Sequence, residues 1–170
     1  MPVAIIYGSS MGNTENVANL INEKLGGKAD VLDIAKIDVK VFGEYDKLIC
    51  GTSTWNDGEL QEDWDSFNFS NLDLSGKTVA LFGLGDRDGY SDTFCDGLGN
   101  LYELLKEKGA SFVGFTSSSE FEFDASKALA GNEFVGLVLD YDNDSDKDNE
   151  ARIDTWIESI KEHFWIKFGA

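Results

Sequence analysis

The sequence is poor in the residues that build covalent or metal-held frameworks and in positive charge. Its one proline stands at position 2, and no proline-rich or Gly/Ser-rich stretch divides the chain. At 170 residues, slightly more than one typical domain, this predicts a single domain over residues 1–170. The two cysteines, Cys50 and Cys95, form neither a C-x-x-C pair nor a metal-ligand spacing. Cys50 ends the apolar run Leu48-Ile49-Cys50 and reads as a buried thiol, in keeping with a reducing compartment. The one histidine, His163, sits beside Phe164 and Trp165 near the end of the chain and reads as a packing or surface residue, not a catalytic one. Fourteen Lys and Arg against thirty-two Asp and Glu give a net charge of −18. A field of that sign repels nucleic acid and anionic membrane and steers basic partners inward. No apolar run approaches the roughly eighteen residues of a membrane span, and residues 1–7 lack the basic start and longer apolar stretch of a signal peptide. A cytoplasmic protein is expected.

What is present is an alternation of two periods. Val3–Tyr7, Val31–Ile34, Lys47–Cys50, Thr78–Phe82, Phe112–Phe115 and Val135–Leu139 are short apolar runs that fit strands buried on both faces. Between them the spacing becomes helical. Val17, Ile21 and Leu25, with Leu20 beside them, form one stripe; Phe94, Leu98, Leu101 and Leu105 form a second; Ile153, Ile157, Ile160 and Phe164 form a third. Strands alternating with helices predict an α/β domain with a parallel sheet. Asn13-Thr14-Glu15 supplies a cap residue and a first-turn acid to the first helix, and Gly26-Gly27 closes it. Residues 116–134 interrupt the last strand in two halves, and excursions of that length are often functional.

In an open parallel sheet the ligand site lies beyond the carboxyl ends of the strands, where strand order reverses. Three loops leave such ends. Gly8-Ser9-Ser10-Met11-Gly12-Asn13-Thr14 offers successive amides and up to three hydroxyls at a helix N-terminus, which suits a phosphate. It is not a Walker loop, since Asn13 stands where the lysine would be, so a phosphate monoester held by neutral donors is the expected ligand. The second loop, Gly51 to Gly58, carries Trp55, and the third, Gly83 to Tyr90, carries Tyr90. Each aromatic fits either a lid on the local core or one half of a sandwich around a flat ligand.

In this order and spacing the three loops resemble those of flavodoxin, the small carrier of electrons on flavin mononucleotide (FMN). Thr54-Trp55-Asn56 followed by Gly58-Glu59-Leu60-Gln61, then Gly83 through Asp92 with Phe94, carry the resemblance, and residues 116–134 resemble the extra loop of the long-chain subgroup. The resemblance implies a three-layer, doubly wound, five-stranded parallel sheet of order 2-1-3-4-5 with its last strand interrupted, an order taken from the family rather than read from this chain. It further implies that Ser9, Ser10, Met11, Gly12, Asn13 and Thr14 hold the phosphate, and that Trp55 and Tyr90 cover the two ring faces. Asp86, beside Gly85, would meet the pyrimidine edge, and the Asn56–Asp57 peptide, with Gly58 free to follow, would lie beside N5. Thr93 and Phe94 complete the flavin edge, while Thr54 and Asp140 or Asp142 are ribityl contacts. Met11 replaces a threonine usual in the family's loop, removing a hydroxyl whose bond to phosphate is worth roughly 1.5–3 kcal/mol unless Ser10 or water compensates. Thr93 stands where asparagine is common.

The implied function is a low-potential, one-electron carrier that shuttles non-covalently bound FMN between semiquinone and hydroquinone and serves redox enzymes in place of ferredoxin. Such a protein is not itself an enzyme. Asp57, Asp86, Asp88 and Asp92 would disfavour the anionic reduced flavin. Implied partners are basic redox proteins: a ferredoxin/flavodoxin-NADP reductase or similar donor, and an acceptor of the nitrogenase or radical-enzyme type. A monomer is expected, with Glu59, Glu62, Asp63 and Asp65 around Trp64 either a solvated face or a docking face. The alternative is a two-electron FMN-dependent quinone reductase, against which stand aromatics on both ring faces. A signalling receiver domain would need acids where the chain has Gly8-Ser9 and Thr52-Ser53. A flavin-free acidic interaction module leaves three chemically matched loops unexplained. The acidic run from Asp140 to Glu150 lacks the glycine and glutamate of a calcium loop and reads as solvated.

Overall fold

A computed structural model describes residues 3–55 and 58–164. Strand β1 (Val3–Tyr7) leads to helix α1 (Asn13–Lys24) and strand β2 (Ala29–Asp33). β3 (Lys47–Trp55) turns back through the two-residue β4 (Glu59–Leu60) into a short helix α2 (Glu62–Ser66) and β5 (Thr78–Leu84). Helix α3 (Asp96–Glu107) and β6 (Ser111–Val113) precede three short strands, β7 (Thr116–Ser117), β8 (Leu129–Ala130) and β9 (Glu133–Phe134). β10 (Leu137–Leu139) and α4 (Asp146–Phe164) close the described chain. No helix among the described residues is long and apolar enough to cross a membrane.

The main sheet runs β2-β1-β3-β5, all parallel, and both β6 and β10 pair with β5. β6 lies along Thr78–Ala80 and β10 along Phe82–Leu84, so two short pieces share the fifth place in the sheet. This is the expected 2-1-3-4-5 order with its last strand interrupted.

β1, β3, β5 and β10 are buried on both faces, and the period of two divides their side chains between two cores. Val3, Ile5 and Tyr7 of β1, with Ala80 and Phe82 of β5, pack under α1 and α4. Ala4 and Ile6, with Val79 and Leu81, pack under α2, α3 and the 116–134 insertion. The three predicted stripes supply the helical side of both cores: Val17 and Ile21, then Leu98, Leu101 and Leu105, then Ile153, Ile157, Ile160 and Phe164. Since α1 covers one face and α2 the other, the chain leaves β1 and β3 in opposite directions. That divergence opens a crevice at their carboxyl ends.

The structure corrects several local expectations. β2 begins at Ala29 and ends at Asp33, and β10 begins at Leu137 rather than Val135. β3 continues past Cys50 to Trp55, because Thr52 and Ser53 pair with Gly83 and Leu84 while Thr54 and Trp55 pair with β4. The N-cap of α1 is Gly12, at φ 91°, and no side chain caps it; Asn13 is the first helical residue. Glycine is needed there because a side chain is strained in that left-handed conformation. The insertion forms its own antiparallel sheet in the order β7-β9-β8. Phe121, Phe123 and Phe134 of the insertion meet Phe94 with ring centroids 5.2–6.0 Å from it.

Candidate functional site

A cleft of about 260 Å³ opens over the carboxyl ends of β1, β3 and β5. One wall is the loop from β1 to α1, where Ser9, Ser10, Met11, Asn13 and Thr14 line it. The first amides of α1 have no intrahelical partner, and the dipole gives that end partial positive charge. Ser9 Oγ accepts the Gly12 amide at 2.9 Å, which tightens the turn and leaves the hydroxyl hydrogen free to donate. Gln61 Nε2 donates to Ser10 Oγ at 3.0 Å, fixing this hydroxyl as an outward donor. The Met11 side chain is 75% exposed and adds no donor of its own.

The floor is the end of β3. Thr54 and Trp55 line it, as does Ser53, which the sequence reading passed over although it stands two residues from Trp55 on the same strand face. Thr54 Oγ1 accepts the Gly97 amide at 2.8 Å, which pins the start of α3 to the site. A Cβ on Gly97 would come within 2.9 Å of that same hydroxyl oxygen, so the approach requires glycine. The opposite wall is the segment after β5. Gly85, Asp86, Tyr90 and Thr93 line it, with Tyr90 49% exposed and Trp55 half-buried. Asp86 Oδ1 accepts the Gly89 amide and the Asn143 side-chain amide, each at 2.8 Å. These bonds, the Gly89 amide first, hold its carboxyl below the usual carboxylate range. Tyr141 and Asp142, just beyond β10, close the rim. Desolvation and then the neighbouring Asp86 and Asp140 raise the Asp142 carboxyl.

Four expected site residues lie elsewhere, and two are outside the described residues. Phe94 is fully buried, and its ring enters the aromatic cluster of the insertion instead of the cleft. Asp140 is fully buried and is held by Arg87 and Asn143, leaving Asp142 as the carboxylate of that pair at the rim. Gly12 shapes the first loop from behind, and Gly58, at φ 94°, closes the turn by donating its amide to the Trp55 carbonyl at 3.2 Å. Asn56 and Asp57 lie outside the described residues. Sequence reading also missed Leu84, Cys95 and Tyr141 on the cleft wall. Tyr141 lies between two aspartates already singled out, whereas nothing in the sequence marks Cys95.

Cys95 on the cleft wall and Cys50 away from it are both buried thiols, and burial pushes both up in pKa. His163 is in the last turn of α4 and does not line the cleft. Asp146 and Asp148 of the acidic run open α4, where the helix dipole favours them. Trp64 is buried in the core, so it takes no part in the acidic surface around it.

Three buried polar atoms among the described residues lack any hydrogen-bond partner: Ser53 Oγ, Trp55 Nε1 and Thr93 Oγ1. All three belong to residues that line this one cleft. An unsatisfied buried polar group costs roughly 1–3 kcal/mol, and three gathered round one cavity point to a polar ligand that satisfies them. With helix-terminal donors at one end and two aromatic side chains at the other, the donor set fits a flat aromatic system bearing a phosphate ester.

The family model described as flavodoxin matches residues 5–156. The chain is 44% identical over 163 residues to a flavodoxin of Synechocystis sp., covering 94% of this chain and 95% of that protein. It is 43% identical over 166 residues to flavodoxin 1 of Escherichia coli, covering 95% and 94%. The crystal structure of Fusobacterium nucleatum flavodoxin bound to flavin mononucleotide superimposes with a TM-score of 0.88 at 28% identity, covering 96% of this chain and 98% of that one.

Proposed function

Because the chain belongs to the flavodoxin family, we propose that it carries electrons on non-covalently bound FMN, as an electron-transfer protein rather than an enzyme. The observation that carries this reading is the set of three orphaned polar atoms in the cleft between the phosphate-type loop and the aromatic walls. Bound FMN supplies one-electron chemistry between its semiquinone and hydroquinone levels. Ser9, Ser10, Thr14 and the α1 amides hold the phosphate, with Met11 offering its amide alone. Trp55 and Tyr90 sandwich the ring and exclude water, and Ser53 and Thr93 bond its polar edge. Thr54 and Asp142 face the ribityl chain. Asp86 and Asp142 line the cleft, and their carboxylate oxygens lie within 4.8 Å of each other and of the buried Asp140, which Arg87 pairs. That charge disfavours a second electron and lowers the potential at which it enters.

The reading extends to a long-chain member that works as a cytoplasmic monomer between a basic reductase and a basic acceptor. The exposed acids Glu59, Glu62 and Asp65 near the cleft support docking of that sign. Stepwise anaerobic reduction of the flavin-loaded protein, followed by visible absorption, tests the core of the proposal. A yellow protein should pass through a blue neutral radical before bleaching. Direct bleaching would favour the two-electron quinone reductase, and protein that takes up no FMN would end the assignment.

Met11 provides a further test. Met11→Thr restores a hydroxyl beside the phosphate, and one charge-assisted bond should tighten FMN binding about tenfold while leaving riboflavin binding unchanged. Fluorescence titration of the apoprotein with each flavin measures both. Equal tightening of the two flavins would show that residue 11 does not act at the phosphate.

A further inference from the structure

The segment that presents Asp86 and Tyr90 to the cleft is held at both ends by other parts of the chain. At its start, Arg87 forms a two-pronged pair with Asp144, Nη1 to Oδ2 and Nη2 to Oδ1, each 2.7 Å. Arg87 Nη1 also donates to Asp140 Oδ2 at 2.9 Å. Asp140 in turn accepts from the Asn143 amide nitrogen at 2.9 Å, and the same nitrogen donates to Asp86 at 2.8 Å. From α4, Arg152 Nη1 reaches Asp144 Oδ2 at 2.8 Å, while its Nε donates to Glu120 of the insertion at 2.6 Å. The Phe121 ring lies 4.5 Å from the Arg152 guanidinium carbon and 5.8 Å from that of Arg87. At the far end, the amides of Asp124 and Ala125 donate to the Ser91 carbonyl at 2.9 and 3.0 Å, and the Phe94 amide donates to the Ala125 carbonyl at 3.1 Å.

These charges are poorly solvated. The Arg87 side chain is 20% exposed, Asp144 13% and Asp140 not at all. In such surroundings a planar fork that bridges two carboxylates fixes geometry in a way that a point charge cannot. Removing it would leave Asp140 and Asp144 facing each other with only Arg152 to offset them, and the segment following β5 would have to move to let water in.

We propose that Arg87 is a positioning residue for the flavin ring. By bridging Asp140 and Asp144, and through Phe121 and Arg152 the insertion, it sets where Asp86 and Tyr90 stand in the cleft. The 116–134 insertion thereby braces the ring-binding wall. This inference rests on the FMN reading of the site.

The test compares Arg87→Gln, Arg87→Lys and a charge-matched control, Lys24→Gln, which breaks the Lys24 pairs with Glu150 and Asp154 away from the cleft. Dissociation constants for FMN and for riboflavin are read by flavin fluorescence, and the visible circular dichroism of bound flavin reports the ring environment. Arg87→Gln should weaken both flavins by the same factor, ~10–100-fold, and alter the dichroism. Arg87→Lys should recover less than half of that loss on a logarithmic scale, and Lys24→Gln should change nothing. Wild-type affinity and dichroism in Arg87→Gln, or a loss confined to FMN, would overturn the proposal. Should Arg87→Gln fail to fold, Phe121→Leu keeps apolar volume but removes the aromatic platform. It should weaken both flavins equally, by ~3–10-fold, and unchanged binding there would equally overturn the proposal. Wild-type protein that bound neither flavin would overturn this inference and the proposed function together.

Discussion

Trp64→Ala is expected to remove about 3–5 kcal/mol of folding stability, the largest loss of any single truncation considered, and to weaken FMN binding with it. The Trp64 side chain is fully buried in the core under α2, stacked on Phe69 with ring centroids 6.4 Å apart and planes 5° from parallel. Its Nε1–H donates to the Gly51 carbonyl at 2.8 Å. That carbonyl also accepts the Gly8 amide at 3.2 Å, so one oxygen ties the end of β1 to the middle of β3 and to α2. The indole lies so close under Gly8 that a Cβ there would come within 2.7 Å of Trp64 Cδ1. Truncation therefore empties a space directly beneath the loop from β1 to α1. Trp64→Phe separates packing from hydrogen bonding. It keeps most of the ring, and Gly51 retains its bond from Gly8, so about 1–2 kcal/mol should be lost. Urea unfolding of the apoproteins gives both values. Equal losses in the two variants would assign the stabilisation to the hydrogen bond instead of the packed ring.

The fold was legible wherever burial on both faces imposed an unbroken apolar run. β1 was read to the residue because each of its five side chains is buried. β3 was cut short at Cys50 because Thr52 to Trp55 look like turn formers. In the structure Thr52 and Ser53 pair with β5 and Thr54 and Trp55 pair with β4, so polar side chains stay in the strand, and Ser53 and Thr54 line the cleft. The place of the cleft was legible for the same topological reason: three polar loops follow three strand ends, and residues of all three line it. Phe94 misled because its spacing with Leu98 and Leu101 is helical, whereas it lies just before α3 and answers to Phe123 and Phe134. The pairing of Arg87 with Asp140 and Asp144 spans 53 and 57 positions, and no local pattern signals a contact at that range. Only the assembled sheet brings Arg87 and, from α4, Arg152 onto the Asp144 carboxylate, with Arg152 also reaching Glu120 of the insertion.

Riboflavin is expected to bind at least about a thousandfold more weakly than FMN. The two ligands present the same ring to Trp55 and Tyr90 and differ only in the phosphate, so the ratio isolates the first loop. Ser10 Oγ is fixed by Gln61, Ser9 Oγ by Gly12, and Thr14 is almost wholly buried on the cleft wall, so these hydroxyls are placed before ligand arrives. Prepositioned donors lose little entropy on binding. Charge-assisted bonds to phosphate are worth roughly 1.5–3 kcal/mol each, so the three hydroxyls together exceed the ~4 kcal/mol that a thousandfold ratio requires even at the low end. No lysine or arginine occurs between Gly8 and Thr14, so the loop does this with neutral donors and the α1 dipole inside a protein of net charge −18. The surrounding field opposes a phosphate dianion, while the donors act only at contact. Salt should therefore act in an unusual direction for an anion site: raising ionic strength from ~10 to ~150 mM screens the repulsion and tightens FMN, leaving neutral riboflavin unmoved. Calorimetric titration of the apoprotein at both salt levels reads the two effects together. FMN affinity that falls with salt would mean that a cation, not neutral donors, holds the phosphate.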